Sequence, residues 1–446
     1  MAIMLTRICV CLALLAAQPV WSQAGPDQDA RMLTPPPVSG EAYPTLVGSE
    51  MRLNYLAAAL ILNTSHDDNI LAGGSAIPIG DVSYSVWPTI TLNVTTPRQQ
   101  RTLTYSPRFT FYQHTSTLNA ADQNAALNFQ YRLSEHTTIS LNDSFQKFSN
   151  IFNQPYPVFG GAISGSALSP PIQVVAPYAG QISNTANMGL SYQLSTNGMM
   201  GLSGIITQSN YASPADAAGL YNSNSLGGSA FYSQRLSNSQ YVGLIYQYEG
   251  SRGNPVDAQA NPANTQIEVR THTLLSFYTI YLNPMLSLSF SGGPQHVDAA
   301  QAMSPPFRSW MPSAKASVGW QRNSTNFVAS YSRAVTGNTG LPGAFSSSSA
   351  NASVRLQITP TLTIGSAASY AIYKNVTPLF SPYTPGGHTV SGTVSVEFSM
   401  SDHFRAELGY VRLHQSYSGI VSISNAPDSN REYISLSYQF ARPLGR

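Results

Sequence analysis

Two-residue alternation of apolar and polar side chains, repeated in segment after segment between residues 50 and 440, constrains this chain more than any other feature. Leu103-Thr104-Tyr105-Ser106-Pro107-Arg108-Phe109-Thr110-Phe111, Leu286-Ser287-Leu288-Ser289-Phe290, Val390 to Met400 and Ile434-Ser435-Leu436-Ser437-Tyr438-Gln439-Phe440 all show it. A period of two belongs to β-strands, whose successive side chains leave opposite faces of the pleat. Many segments run to about ten residues, longer than the five or six usual in soluble strands and matched to a tilted strand crossing a bilayer.

Composition excludes the alternatives. Charged residues make up 9% of the chain, where soluble domains carry about 25%. Mean hydropathy is only -0.09, and no segment after the N-terminus reaches the roughly 18 apolar residues of a spanning helix. Disorder is incompatible with 42% hydrophobic content and 17 Phe, 25 Tyr and 4 Trp. What remains is an all-β chain, wet on one face and apolar on the other.

Residues 1–24 read as a secretory signal: Arg7 is the positive start, Ile8 to Ala17 the apolar stretch, and Ser22-Gln23-Ala24 the small-x-small cleavage site. Both cysteines, Cys9 and Cys11, lie within it, so the expected exported chain has no thiol and relies on a large fold rather than disulfides. Losing Arg7 takes the net charge from +2 to +1, which suggests no nucleic-acid partner. Residues 25–49, with Pro35-Pro36-Pro37, read as a Pro-rich periplasmic linker. Residues 50–440 form one barrel domain, and 441–446 a C-terminal tail.

Tight turns at Pro97 to Gln100, Ser134 to His136, Thr196 to Gly198, Ser237 to Ser239, Asn283-Pro284, Asn323-Ser324, Thr359-Pro360 and Ser401-Asp402 alternate with longer Gly/Ser/Pro/Asn-rich loops. Counting hairpins gives a closed antiparallel transmembrane β-barrel of 18 strands, with 16 nearly as good a fit, short periplasmic turns and long extracellular loops. Closure is required because an open edge in hydrocarbon would leave backbone groups unsatisfied at several kcal/mol each. At the last strand, Leu436, Tyr438 and Phe440 resemble the terminal insertion signal of Gram-negative outer-membrane β-barrels, and the texture of 50–440 is similar to that of porin-like members. The resemblance implies the bacterial outer membrane as location, its lipid and the barrel-assembly machinery as partners, and the homotrimer common among porins as a candidate assembly.

Sending the apolar parity to lipid sends the other parity to the lumen. This places Arg108, Arg132, Arg235, Arg270, Lys315, Arg355, Arg405 and Arg431 inside with Glu249, Glu268, Glu397 and Glu407, an excess of positive charge that favours anions unless the charges pair across strands. Asp143 falls on the lipid parity, so a bulge or a shifted boundary is expected there. If three residues close the Ser401-Asp402 turn, Glu397 faces Glu407 with Arg405 diagonal to both. The third outer loop, 150–181, holds Phe152, Tyr156, Phe159 and Tyr178 and no charged residue. In general porins, which this topology resembles, that loop folds inward; here its aromatic and amide groups would meet an uncharged polar solute, unless it caps the barrel instead.

No catalytic signature is present: there is no G-x-S-x-G, no G-x-G, no lysine following a glycine, and no H-E-x-x-H. His66-Asp67-Asp68-Asn69 lacks the Gly and distal Glu of a calcium loop and reads as surface solvation. A triad assembled from separate strands would be invisible to sequence, yet the expectation is a non-enzyme without cofactor. That expectation is a porin-like channel for passive diffusion of small hydrophilic solutes, carbohydrates or anions among them. The alternatives are an export conduit for a surface polysaccharide, or a structural or adhesive barrel without transport.

Overall fold

The structure, a computed structural model, describes residues 32, 34–39, 54–70, 78–149, 180–212, 217, 220–256, 266–301, 305–322, 324–337, 340–341, 343–377, 386–418 and 428–443. A four-residue helix, α1 (Pro36–Ser39), precedes the strands. These are β1 (Tyr55–Asp67), β2 (Asp81–Thr95), β3 (Gln99–Tyr112), β4 (Ala120–Arg132), β5 (Thr137–Phe148), β6 (Gln181–Ser195), β7 (Gly198–Tyr211), β8 (Tyr221–Ser237) and β9 (Gln240–Pro255). The series continues with β10 (Ile267–Asn283), β11 (Leu286–Gln301), β12 (Phe307–Arg322), β13 (Thr325–Thr336), β14 (Phe345–Gln357), β15 (Leu362–Asn375), β16 (Gly386–Ser399), β17 (Phe404–Ser418) and β18 (Asp428–Pro443).

Each strand pairs antiparallel with its sequence neighbours, and β1 pairs with β18 as well as β2, which closes an 18-stranded barrel. Eighteen, not sixteen, is the strand number. All eight turns expected from the sequence fall between paired strands at one end of the barrel, where β1 begins and β18 finishes. The β18 ladder continues to Pro443 opposite Tyr55, so the strand runs beyond Phe440.

The outer face is apolar. Leu103, Tyr105, Phe109 and Phe111 of β3 are 42–51% exposed on it, as are Leu436, Tyr438 and Phe440 of β18 at 39–50%. Tyr192, Tyr232, Trp320, Phe398 and Tyr438 ring the turn end on this face, and Trp310 and Tyr370 lie towards the loop end, the arrangement of two aromatic girdles around an apolar band. An even-stranded closed barrel of this build, with both ends of the sheet at the short-turn side, is the architecture of a bacterial outer-membrane β-barrel.

Two expectations fail on register. No bulge separates Asp143 from the lipid face: β5 runs in unbroken register with Leu127 on β4 and Ala186 on β6 beside Asp143. Its carboxylate instead accepts a hydrogen bond from Asn184 Nδ2 at 3.0 Å on the same outer face. Glu268 and Arg270 also lie outside, on the face that carries Leu274, which is 48% exposed. In β10 both faces are apolar, and it is Val269, Leu275 and Phe277 that turn inward, where other parts of the chain cover them. Alternation therefore carries no phase information in that strand.

Candidate functional site

The inward-facing side chains line the lumen, and two stretches of its wall differ in character. Along β7–β11 the inward face carries an apolar patch near the short turns: Met199, Tyr241, Ile245, Leu275, Phe277 and Tyr281 are all buried. The part of the N-terminal stretch that is described lies against them. Met32 packs with Met199, Tyr241 and Tyr281, and Val38 of α1 packs against Ile245, Leu275 and Phe277. Burial of this surface is the hydrophobic effect acting inside the barrel, and it holds Met32 and the α1 segment in the lumen near the short-turn end.

At the opposite end, the connection between β13 and β14, the seventh outer loop, folds inward. Gly337 sits where any Cβ would strike Ser251 and Val269 of the β9 and β10 inner wall. Gly340 has φ +75°, a left-handed conformation that other residues avoid, and its carbonyl accepts the Tyr221 N–H at 2.9 Å. Leu341, 2% exposed, joins one packed cluster with Tyr211 of β7, Phe345 of β14, Tyr373 of β15 and Tyr417 of β17. Strands from opposite sides of the barrel thus meet through a single loop. The third-loop candidates Phe152, Tyr156, Phe159 and Tyr178 lie outside the described residues.

A second stretch of the wall, from β16 through β18 and β1 to β4, is polar. Arg108 is buried, with its guanidinium 4.1 Å above the Trp87 ring and NH2 donating to Ser85 Oγ at 3.0 Å. Arg431 is ion-paired to Asp67 at 3.0 Å. Glu397 stands opposite Glu407 in the register expected from a three-residue turn. Arg405 bridges to Glu397 at 3.5 Å, and Glu407 accepts the Tyr433 hydroxyl at 2.8 Å. These three charges form a band near the short-turn mouth. Arg132 faces inward on β4, Arg355 on β14, and Arg235 on β8, where its Nε donates to Asn197 Oδ1 at 3.0 Å. Glu249 and Lys315 point inward from β9 and β12 and interact electrostatically.

Asp67, Asp81 and Asp122 also face the lumen, and each is buried with donors around it. Asp81 accepts from the Thr115 hydroxyl at 2.6 Å, and Asp122 from the Ser149 N–H at 2.7 Å. Reading His66–Asn69 as surface solvation hid Asp67; the β1 alternation carried to its last residue would have placed it inside. With these included, and Glu268 and Arg270 removed, seven basic lumen residues face six acidic ones among the described strands. The excess of eight basic over four acidic residues read from sequence is not present. The His66–Asn69 run proves to be a clasp: Asp67 accepts from Asn69 N, Ser429 Oγ and Arg431, and Asp68 accepts from the backbone and side chain of Asn430. No cluster of metal-ligating side chains occurs among the described residues.

No protein-family pattern matches the sequence, and no curated protein matches it. Solved structures match in architecture. Pseudomonas aeruginosa OccK2 (OpdF), crystallised in complex with glucuronate, aligns over 86% of this chain and 98% of its own at 10% identity and TM-score 0.43. Pseudomonas aeruginosa OpdL aligns over 87% and 99% at 11% identity and TM-score 0.40. The FrpB iron transporter from Neisseria meningitidis aligns over 87% and 82% at 8% identity and TM-score 0.41.

Proposed function

We propose that this barrel is an outer-membrane channel for passive diffusion of small hydrophilic solutes, with uncharged, sugar-like solutes favoured over ions. The observation that carries the proposal is the inner wall from β16 to β4, which is polar, hydrogen-bonded and close to electroneutral while the outer face is apolar. Eighteen strands enclose more than side chains alone can fill, whereas about eight would not. Near-balance of seven basic and six acidic residues removes the field that would select strongly by charge. Trp87 lies on this wall with the Arg108 guanidinium over its ring, a flat apolar group among polar neighbours. Nothing in this reading requires a catalytic group or cofactor.

Reconstitution decides it. Purified protein in planar bilayers is expected to give stepwise conductance with weak ion selectivity, and liposomes containing it to swell in isotonic monosaccharide. A silent bilayer together with no swelling would leave a structural or adhesive barrel as the better reading.

A further inference from the structure

The ladder between β12 and β13 stops at Ala314 opposite Arg333. Beyond that point, Phe307–Ser313 of β12 keep β11 as their strand partner, while Ala334–Thr336 of β13 keep β14 as theirs. Among the described residues, the barrel wall therefore has a seam in its outer half.

The sequence supplies the cause. Pro312 stands opposite Pro294 in the β11–β12 ladder. Two prolines cannot share a hydrogen-bonded site, so the pair occupies a non-hydrogen-bonded one, which turns the Pro312 nitrogen towards β13. Continuing the β12–β13 register by two residues would put Val335 against Pro312, and Pro312 has no proton to give it. Val335 is satisfied elsewhere. Its N–H donates to Gln295 Oε1 at 2.8 Å and its carbonyl accepts from Gln295 Nε2 at 2.9 Å. One side-chain amide on β11 thus substitutes for the missing strand, and it holds the end of β13 inside the lumen, where Val335 packs with Val269 and Val297.

The surfaces on the two sides of the seam are alike. On the lumen side Phe307 and Met311 pack on the cluster of Val297 and Val335. On the outer face the same stretch of β12 presents Pro312 and Trp310, the latter 67% exposed at the level of the outer girdle. An unpaired edge is costly in hydrocarbon and tolerable at the wet interface, and this one lies in the loop-end half of its strands.

We propose that the seam is a lateral passage through which small molecules with an apolar body leave the lumen for the outer leaflet, separate from the polar path along β16–β4. The test uses cells with an intact outer membrane producing the full-length protein, and the apolar dye N-phenylnaphthylamine, which fluoresces on entering the membrane. Wild type is expected to speed dye entry over cells lacking the protein. Met311→Cys combined with Val335→Cys, two positions packed in the same inner cluster, is expected once oxidised to return entry to the rate of cells lacking the protein, and reduction to restore it. Pro312→Val, which returns a backbone donor opposite Val335 without any cross-link, is expected to slow entry. Monosaccharide-driven swelling of liposomes should be the same for all these forms, so loss of the channel and loss of the passage are read separately. Heat-dependent gel mobility reports that each variant is a folded barrel. Dye entry no faster with wild type than without it overturns the proposal, as does entry that neither Pro312→Val nor a formed disulfide changes.

Discussion

Asp67 at the end of β1 and Arg431 in β18 form a buried ion pair at 3.0 Å, although 364 residues of chain separate them. The pair sits on the strand junction that turns a sheet into a cylinder. Removing one partner strands the other charge in a dry site, whereas removing both does not. Arg431→Ala is therefore expected to cost about 3 kcal/mol and to lower the temperature at which the folded band is lost on unheated gels. The double variant Asp67→Ala with Arg431→Ala should be less damaging than Arg431→Ala alone; a double variant that is worse than either single one would show that the pair is not what these residues contribute.

Leu341 is carried across the lumen by a loop whose path depends on Gly337 and Gly340. Replacing residues 337–344 by a shorter Gly/Ser turn is expected to raise single-channel conductance while the barrel stays folded. Gly340→Val should act the same way more weakly, because φ +75° is strained for a β-branched residue and Tyr211 leaves its side chain no room. Unchanged conductance in both would mean that ions pass elsewhere.

Arg405 offsets two facing carboxylates, Glu397 and Glu407, at the short-turn mouth. Arg405→Ala should shift the zero-current potential in a salt gradient towards cation preference, and Glu407→Gln should shift it towards anions. Equal shifts of one sign would place this band away from the ion path.

Asp143 and Asn184 interrupt the apolar belt with a hydrogen-bonded pair that faces lipid. A carboxylate there is unfavourable, by less than the roughly 2–4 kcal/mol of a mid-bilayer Arg or Lys. Asp143→Leu together with Asn184→Leu is expected to stabilise the barrel by about 1 kcal/mol, read as a higher midpoint of denaturant unfolding in lipid. A lower midpoint would indicate a partner at this surface that the pair serves.

Strand period, strand length and turn positions follow from the sequence by itself because each is local: side chains alternate within one strand, and Gly, Pro, Asn and Ser mark its ends. That reasoning sufficed for the barrel, its eight turns, and the facing of Glu397 and Glu407 across one short hairpin. Inward placement of Arg108 and Arg431 was legible for the same reason, since their strands are apolar on one face alone. Only the tertiary structure decided the rest. Glu268 and Arg270 lie outside because Val269, Leu275 and Phe277 are covered by segments distant in the chain, and no local pattern records what covers a wall. Asp67 meets Arg431, Leu341 reaches Tyr211 and Tyr417, and Gln295 takes the place of a strand beside Val335 through contacts that exist only after closure, when residues remote in sequence share one interior.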